Sequence, residues 1–253
     1  MIERQKLISR LDELLRPELF RDYGPNGLQV EGASLIQKIV SGVTASRALI
    51  EAAIHAKADT ILVHHGLFWR GQDGRVTGWM KQRLSLLLAH DINLIAYHLP
   101  LDAHPELGNN AQLGARLGLR TLEHFGEQDL GCLGEDQGGQ TFANAEQLAA
   151  HVSAVVGRSV TAVASGNSRP LRRIGWCTGA AQGYFEAAIQ AGADAFITGE
   201  ISEPQAHYAR ECGVAYIACG HHASERFGAP AVAEHVASQF GLAHEFIDID
   251  NPA

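Results

Sequence analysis

A chain of 253 residues, 46% hydrophobic and 19% charged, is long enough for one large globular domain or two small ones. Its net charge of −8 argues against a binder held to nucleic acid mainly through phosphate contacts, which need clustered Lys and Arg. The one dense basic patch, Arg169, Arg172 and Arg173, reads as a solvated strand entry. Cys132, Cys177, Cys212 and Cys219 have no C-x-x-C spacing and read as free thiols of a reducing compartment. No apolar run approaches the ~18–20 residues of a membrane span. Charged residues interrupt the apolar ones from Met1 to Leu15, so the chain opens on an amphipathic helix and not on a signal peptide; a cytoplasmic protein is expected.

In chain order, Ile2, Leu7, Ile8, Leu11, Leu14 and Leu15 recur at helical spacing. The segment 22–32, Asp-Tyr-Gly-Pro-Asn-Gly-Leu-Gln-Val-Glu-Gly, reads as ordered turns that either cover the core or line a site. Strand 38–43, helix 46–56 and strand 60–65 follow, and their short connections imply parallel pairing in an α/β layer. A loop over 68–78, a helix over 80–90 and a strand over 93–97 lead into His98-Leu99-Pro100-Leu101-Asp102, with a helix expected over 104–117. Strands and turns over 121–139, a helix over 145–156 and a strand over 160–164 read as a small linking region. A strand and turn over 174–179, helix 184–191, strand 195–200, helix 203–211 and strand 214–218 then repeat the earlier pattern and run into Gly220-His221-His222-Ala223-Ser224-Glu225. A helix over 229–240 and a strand over 245–249 close the chain.

The repeat is explicit. Residues 51–59 (EAAIHAKAD) and 186–194 (EAAIQAGAD) agree at seven of nine positions, at an offset of 135. That offset sets Glu200 opposite His65. At the next strand an offset of 123 sets His221 and Glu225 opposite His98 and Asp102; the difference of 12 fits a longer excursion between Phe68 and Met80. The expected fold is therefore α/β, built from duplicated strand–helix–strand units that form two similar lobes facing each other across a metal site. The expected boundaries are an N-terminal lobe over 1–125, a linking segment over 126–170 packed with the second lobe, and a C-terminal lobe over 171–253.

Open parallel sheets bind ligands at strand carboxyl ends. Here those ends carry His64, His65, His98 and Asp102 in one half, and Glu200, His221 and Glu225 in the other. The spacings His98-x-x-x-Asp102 and His221-x-x-x-Glu225 put each pair on one face of a helical turn. Mixed imidazole and carboxylate donors favour Zn, Fe, Mn, Co or Ni over Mg or Ca. Five or more donors exceed one tetrahedral site, and a metal pair suits hydrolysis because it activates water near neutral pH. His98 is a further ligand, a proton shuttle or an orienting group; Glu200 moves a proton or caps the helix before Pro204. His221 is preferred over His222 because its spacing to Glu225 matches that of His98 to Asp102.

The stretches Tyr23-Gly24-Pro25-Asn26-Gly27-Leu28-Gln29-Val30-Glu31-Gly32, Val63-His64-His65-Gly66, His98-Leu99-Pro100-Leu101-Asp102 and Gly220-His221-His222-Ala223-Ser224-Glu225 resemble the Nif-three-like dinuclear metal-centre family, the GTP cyclohydrolase I type 2 homologues, in its short bacterial form. The resemblance runs from the N-terminal helix to Asn251-Pro252-Ala253. It implies a homo-hexameric ring, two divalent transition-metal ions per chain (Zn, Fe, Mn or Ni), and ligands at His64, His65, Asp102, His221 and Glu225. It also implies a hydrolase that opens the guanine ring of GTP or acts on a related heterocycle. No G-x-x-x-x-G-K-[ST] loop occurs, so phosphates would meet Arg70, Lys81 or Arg83. Two other expectations stand beside the hydrolase: a non-enzymatic metal-binding, metal-delivery or scaffold protein, and a ring that handles nucleic acid or DNA damage.

Overall fold

The computed structural model describes all residues, Met1–Ala253. In chain order the first elements are β1 (Ile2–Glu3), α1 (Arg4–Leu15), β2 (Gly27–Val30), β3 (Leu35–Ile36), β4 (Lys38–Thr44), α2 (Arg47–His55), β5 (Thr60–His65), α3 (Gly78–Ala89), β6 (Asn93–Ala96) and α4 (Leu99–Ala103). There follow α5 (Asn109–Arg116), β7 (Leu119–Phe125), β8 (Gly131–Asp136), α6 (Ala145–Val156), β9 (Thr161–Val163), β10 (Ile174–Trp176), α7 (Phe185–Gln190) and β11 (Ala195–Thr198). The chain ends with α8 (Glu203–Cys212), β12 (Ala215–Ala218), α9 (His221–Ser224), α10 (Gly228–Phe240) and β13 (Ala243–Phe246). The architecture is mixed α/β with three sheets in two compact units, Met1–Gly108 with Gly228–Asp250, and Asn109–Phe227 with Asn251–Ala253. No helix is long and apolar enough to cross a membrane.

The first unit holds a sheet of order β13-β4-β5-β6-β2 in which only the edge strand β2 runs antiparallel to its neighbour. Alternation along a strand sends successive side chains to opposite faces. Ile61 and Val63 accordingly pack with Leu49, Ile50 and Ala53 of α2, whereas Leu62 packs with Leu7 and Leu11 of α1 and Val232 and Val236 of α10. Ser46 caps α2 by accepting from the Leu49 amide at 3.1 Å. In this unit Ser41, His244 and Glu234 are linked in series, at 2.8 Å from Ser41 Oγ to His244 Nε2 and 2.8 Å from His244 Nδ1 to Glu234 Oε2. They resemble a nucleophile–base–acid chain, but Ser41 is fully buried in the middle of β4, so the chain ties β13 to β4.

The second unit holds a sheet of order β7-β8-β10-β11-β12-β9, with β10, β11 and β12 parallel and the rest antiparallel. Trp176, Ile197, Ile217, Leu148 and Val152 form its main core, and on the α7 side Phe185 stacks on Phe196 while Tyr216 meets both rings edge-on. The repeat is visible inside each unit. β4-β5-β6 and β10-β11-β12 are both parallel triplets flanked by an antiparallel strand, β2 and β9. Asp59 Oδ2 accepts from the amides of Gln37 and Lys38, and Asp194 Oδ2 from those of Arg172 and Arg173, the same positions at the offset of 135.

Several expectations change. Residue 125 lies at the end of β7 inside the second unit, whose boundary falls at Asn109. The segment expected to link the lobes supplies β8, α6 and β9 to the second unit's sheet and core, because β8 pairs with both β7 and β10. Residues 228–250 return to the first unit, where β13 pairs in parallel with β4. The helix expected over 104–117 is α5 alone, starting at Asn109; His104 precedes Pro105 and is extended, as the proline ring demands of its neighbour. Gly27–Val30, expected as turns, pairs with β6 through a bulge between Leu28 and Val30. The three basic residues near 170 are ion-paired, Arg169 with Asp194, Arg172 with Glu135 and Arg173 with Glu123. All four cysteines are free thiols.

Candidate metal centre

In the first unit the rigid end of β5 delivers His64 and His65. His64 is fully buried, and its Nδ1 lies 3.1 Å from the Tyr97 carbonyl oxygen. A carbonyl can only accept, so Nδ1 carries the proton and Nε2 presents its lone pair. That Nε2 lies 3.5 Å from Oδ1 of Asp102, a carboxylate 7% exposed on the turn of α4. His65 sits across the sheet from Thr44, whose hydroxyl is 3.2 Å from its Nδ1. His98, at the start of α4, places Nδ1 2.7 Å from Oδ1 of Asp22. One ligand atom from each of His64, His65 and His98 lies within 4.8 Å of the others.

Asp22 is a residue that spacing did not single out. Its carboxylate accepts from His98 Nδ1, the Leu99 amide (2.9 Å), Asn26 Nδ2 (2.9 Å) and the Tyr23 amide (2.6 Å). Burial would raise its pKa, but the hydrogen bonds from His98 and Asn26, the His98 charge and the Tyr23 amide together bring it down to about 2. The only signal for it was its place at the head of the 22–32 turn segment. Thr44 and the Tyr97 carbonyl were equally silent, since neither residue type implies an anchoring role.

In the second unit β12 ends at Ala218, and Gly220, whose φ of 100° suits glycine, turns the chain into α9. His221 Nδ1 lies 2.7 Å from Oε1 of Glu200, and its Nε2 lies 3.2 Å from Oε2 of Glu225, a carboxylate 2% exposed. Burial would lower the His221 pKa; hydrogen bonding and charge from Glu225, then from Glu200, outweigh it and raise it to about 9. Gly179, at φ 71°, allows this packing: a Cβ there would strike the Glu225 carboxylate and come within 3.3 Å of His221 Nε2. Glu200 does not cap α8. Ser202 is the N-cap, and its amide donates to Gln205 Oε1 at 3.2 Å. Glu200 instead holds His221 Nδ1, as Asp22 holds that of His98. His222 is buried, with its amide on the Ala253 carbonyl at 3.2 Å, and belongs to neither cluster of donors.

Four imidazoles, His64, His65, His98 and His221, thus have Nδ1 engaged by a carbonyl, a hydroxyl or a carboxylate, which fixes the ring and leaves Nε2 as the outward donor atom. That is the outer-sphere support metal-binding histidines carry. His64, His65 and His98 with Asp102 in the first unit, and His221 with Glu225 in the second, offer the mixed imidazole and carboxylate donors that suit a transition-metal ion.

The family model Duf34/NIF3 (NGG1p interacting factor 3) matches residues 2–252. A Neisseria meningitidis protein called GTP cyclohydrolase 1 type 2 homolog is 51% identical over the whole of both chains. A Pseudomonas aeruginosa protein of the same name is 48% identical, covering 98% of this chain and 97% of its own. Among solved structures, one described as protein ybgI of unknown function matches with a TM-score of 0.95 at 44% identity over the full length of both chains. The Thermus thermophilus protein TTHA1606 matches with a TM-score of 0.90 at 33% identity, again over both full chains. The chain belongs to the DUF34/NIF3 family.

Proposed function

We propose that these imidazoles and carboxylates hold a dinuclear metal centre, and that the protein is a metal-dependent hydrolase acting on a nucleotide or related heterocycle. His64, His65, Asp102, His221 and Glu225 are the proposed ligands of two divalent transition-metal ions. The observation that carries the proposal is the shared orientation of the imidazoles, each with Nδ1 engaged beside a buried carboxylate or a second imidazole. The donor set fits the group: imidazole nitrogens with carboxylate oxygens suit Zn, Fe, Mn or Ni. When bound, such metals supply Lewis-acid polarisation and lower the pKa of water.

The chain's own residues divide the remaining work. His98 is the proposed proton carrier, acting at Nε2 while the Asp22 carboxylate on Nδ1 stabilises the imidazolium. Glu200 is assigned a positioning task on His221. The names of the Neisseria and Pseudomonas relatives support a nucleotide substrate. A homo-hexamer, implied by the family resemblance, accompanies this reading and is checked by light scattering. The deciding assay is hydrolysis across GTP and other nucleotides with metal-loaded protein. Turnover that a chelator abolishes and metal restores supports the hydrolase. Bound metal with no turnover on any of them contradicts it and favours metal binding or delivery.

A further inference from the structure

Two aromatic residues stand beside His98 without any part in holding it. Tyr23 is 56% exposed, and its ring centroid lies 6.1 Å from that of His98 at an interplanar angle of 67°. Trp69 is half-buried, 5.1 Å from the His98 ring at 87° and 5.9 Å from the His65 ring. Their loops are latched together. The Arg70 amide donates to the Tyr23 carbonyl at 2.6 Å, and Arg70 Nη2 to the Asp22 carbonyl at 2.7 Å. The Trp69 amide donates to Gln72 Oε1 at 3.0 Å. Gly24 packs so closely that a Cβ there would strike the Phe68 carbonyl oxygen and lie 3.4 Å from the Trp69 ring. An exposed large aromatic side chain on a mobile loop costs entropy when it binds; one on a fixed backbone does not. The exposed tryptophan, Trp79, differs, because the Arg83 guanidinium already covers it at 4.8 Å from the ring centroid.

We infer that Tyr23 and Trp69 form a stacking subsite for a planar nitrogen heterocycle, the base of a nucleotide, next to His98 and His65. Aromatic faces accept any base by stacking and do not need its hydrogen-bonding pattern, so the subsite selects a purine or pyrimidine ring over a sugar phosphate or a peptide. Arg70, exposed at the same rim, offers a guanidinium to an anionic group on the base-bearing molecule. The inference deepens the hydrolase proposal by naming what sits against His98, and it rests on that proposal for its catalytic meaning alone.

The test is calorimetric titration of the full chain with guanosine monophosphate and, separately, with ribose 5-phosphate, in metal-loaded and chelator-treated protein. The nucleotide is expected to bind at least tenfold tighter than the sugar phosphate in both preparations. Tyr23→Leu and Trp69→Leu should each weaken it about tenfold, in the range measured for loss of one base–aromatic stack. Tyr23→Phe and Trp69→Phe should stay within about threefold of the parent, since a phenyl ring still stacks. Tyr23 is exposed enough for its variants to fold whatever happens at Trp69. Equal binding of ribose 5-phosphate, no nucleotide binding at millimolar concentration, or Leu variants that bind like the parent would overturn the inference. Base binding without turnover would leave it standing while the hydrolase proposal fell; turnover unaffected by both Leu variants would do the reverse.

Discussion

Glu200→Gln and Glu200→Ala separate a positioning carboxylate from a proton carrier. Glu200 Oε1 lies 2.7 Å from His221 Nδ1 while Nε2 points to Glu225 at 3.2 Å. Removing outer-sphere support of a metal-binding histidine typically lowers metal affinity 10–100-fold, about 1.4–2.7 kcal/mol. The Gln amide oxygen still accepts from Nδ1–H but without charge, so Gln should fall at the tenfold end and Ala nearer a hundredfold. The Glu200 side chain is 41% exposed, so neither change should cost more than about 0.5 kcal/mol of stability. Competition with a chromophoric chelator measures the affinity, and a thermal melt of the same samples checks the fold. Affinity within twofold of the parent for both variants would refute the positioning role. If turnover fell at the same time, Glu200 would be moving protons.

Three further outcomes follow from named contacts. Asp102→Asn and Glu225→Gln should each lose metal from at least one position, measured by elemental analysis; full retention in both would overturn the ligand assignment. Gly179→Ala should cost about 1–2 kcal/mol for a left-handed alanine, and the new Cβ should displace the Glu225 carboxylate; chemical denaturation and metal content report the two effects, and an unchanged protein would contradict the packing described. Ser41→Ala should leave any hydrolysis unchanged and cost about 1 kcal/mol, because the serine is buried and ties β4 to β13; loss of turnover with metal retained would reopen the Ser41–His244–Glu234 chain as catalytic.

The histidines and carboxylates at the strand ends were legible because a buried β run followed by ligand-type residues is a local pattern. The duplication was legible because EAAIHAKAD and EAAIQAGAD keep the same helix and the same terminal aspartate, which in each unit accepts from two amides at the entry to the preceding strand. What stayed hidden depends on partners distant in sequence. Asp22 matters only because His98 comes to it across 76 residues. Gly27–Val30 is a strand only because β6 pairs with it, and β13 belongs to the first unit only because β4 accepts it. Periodicity identifies an element but does not choose its neighbour. Glu200 was legible as a position but not as a task, since a carboxylate after a strand looks the same whether it caps a helix, moves a proton or holds an imidazole.

In the proposed centre, imidazoles with engaged Nδ1 atoms and buried carboxylates bind a pair of transition metals. Elemental analysis of protein purified without added metal or chelator, combined with anomalous diffraction from its crystals, tests it most directly. Close to two transition metals per chain, with anomalous peaks at His64, His65, Asp102, His221 and Glu225, is the expected result. Less than one metal per chain that Zn, Fe or Mn fails to restore, or peaks away from those five residues, would contradict it.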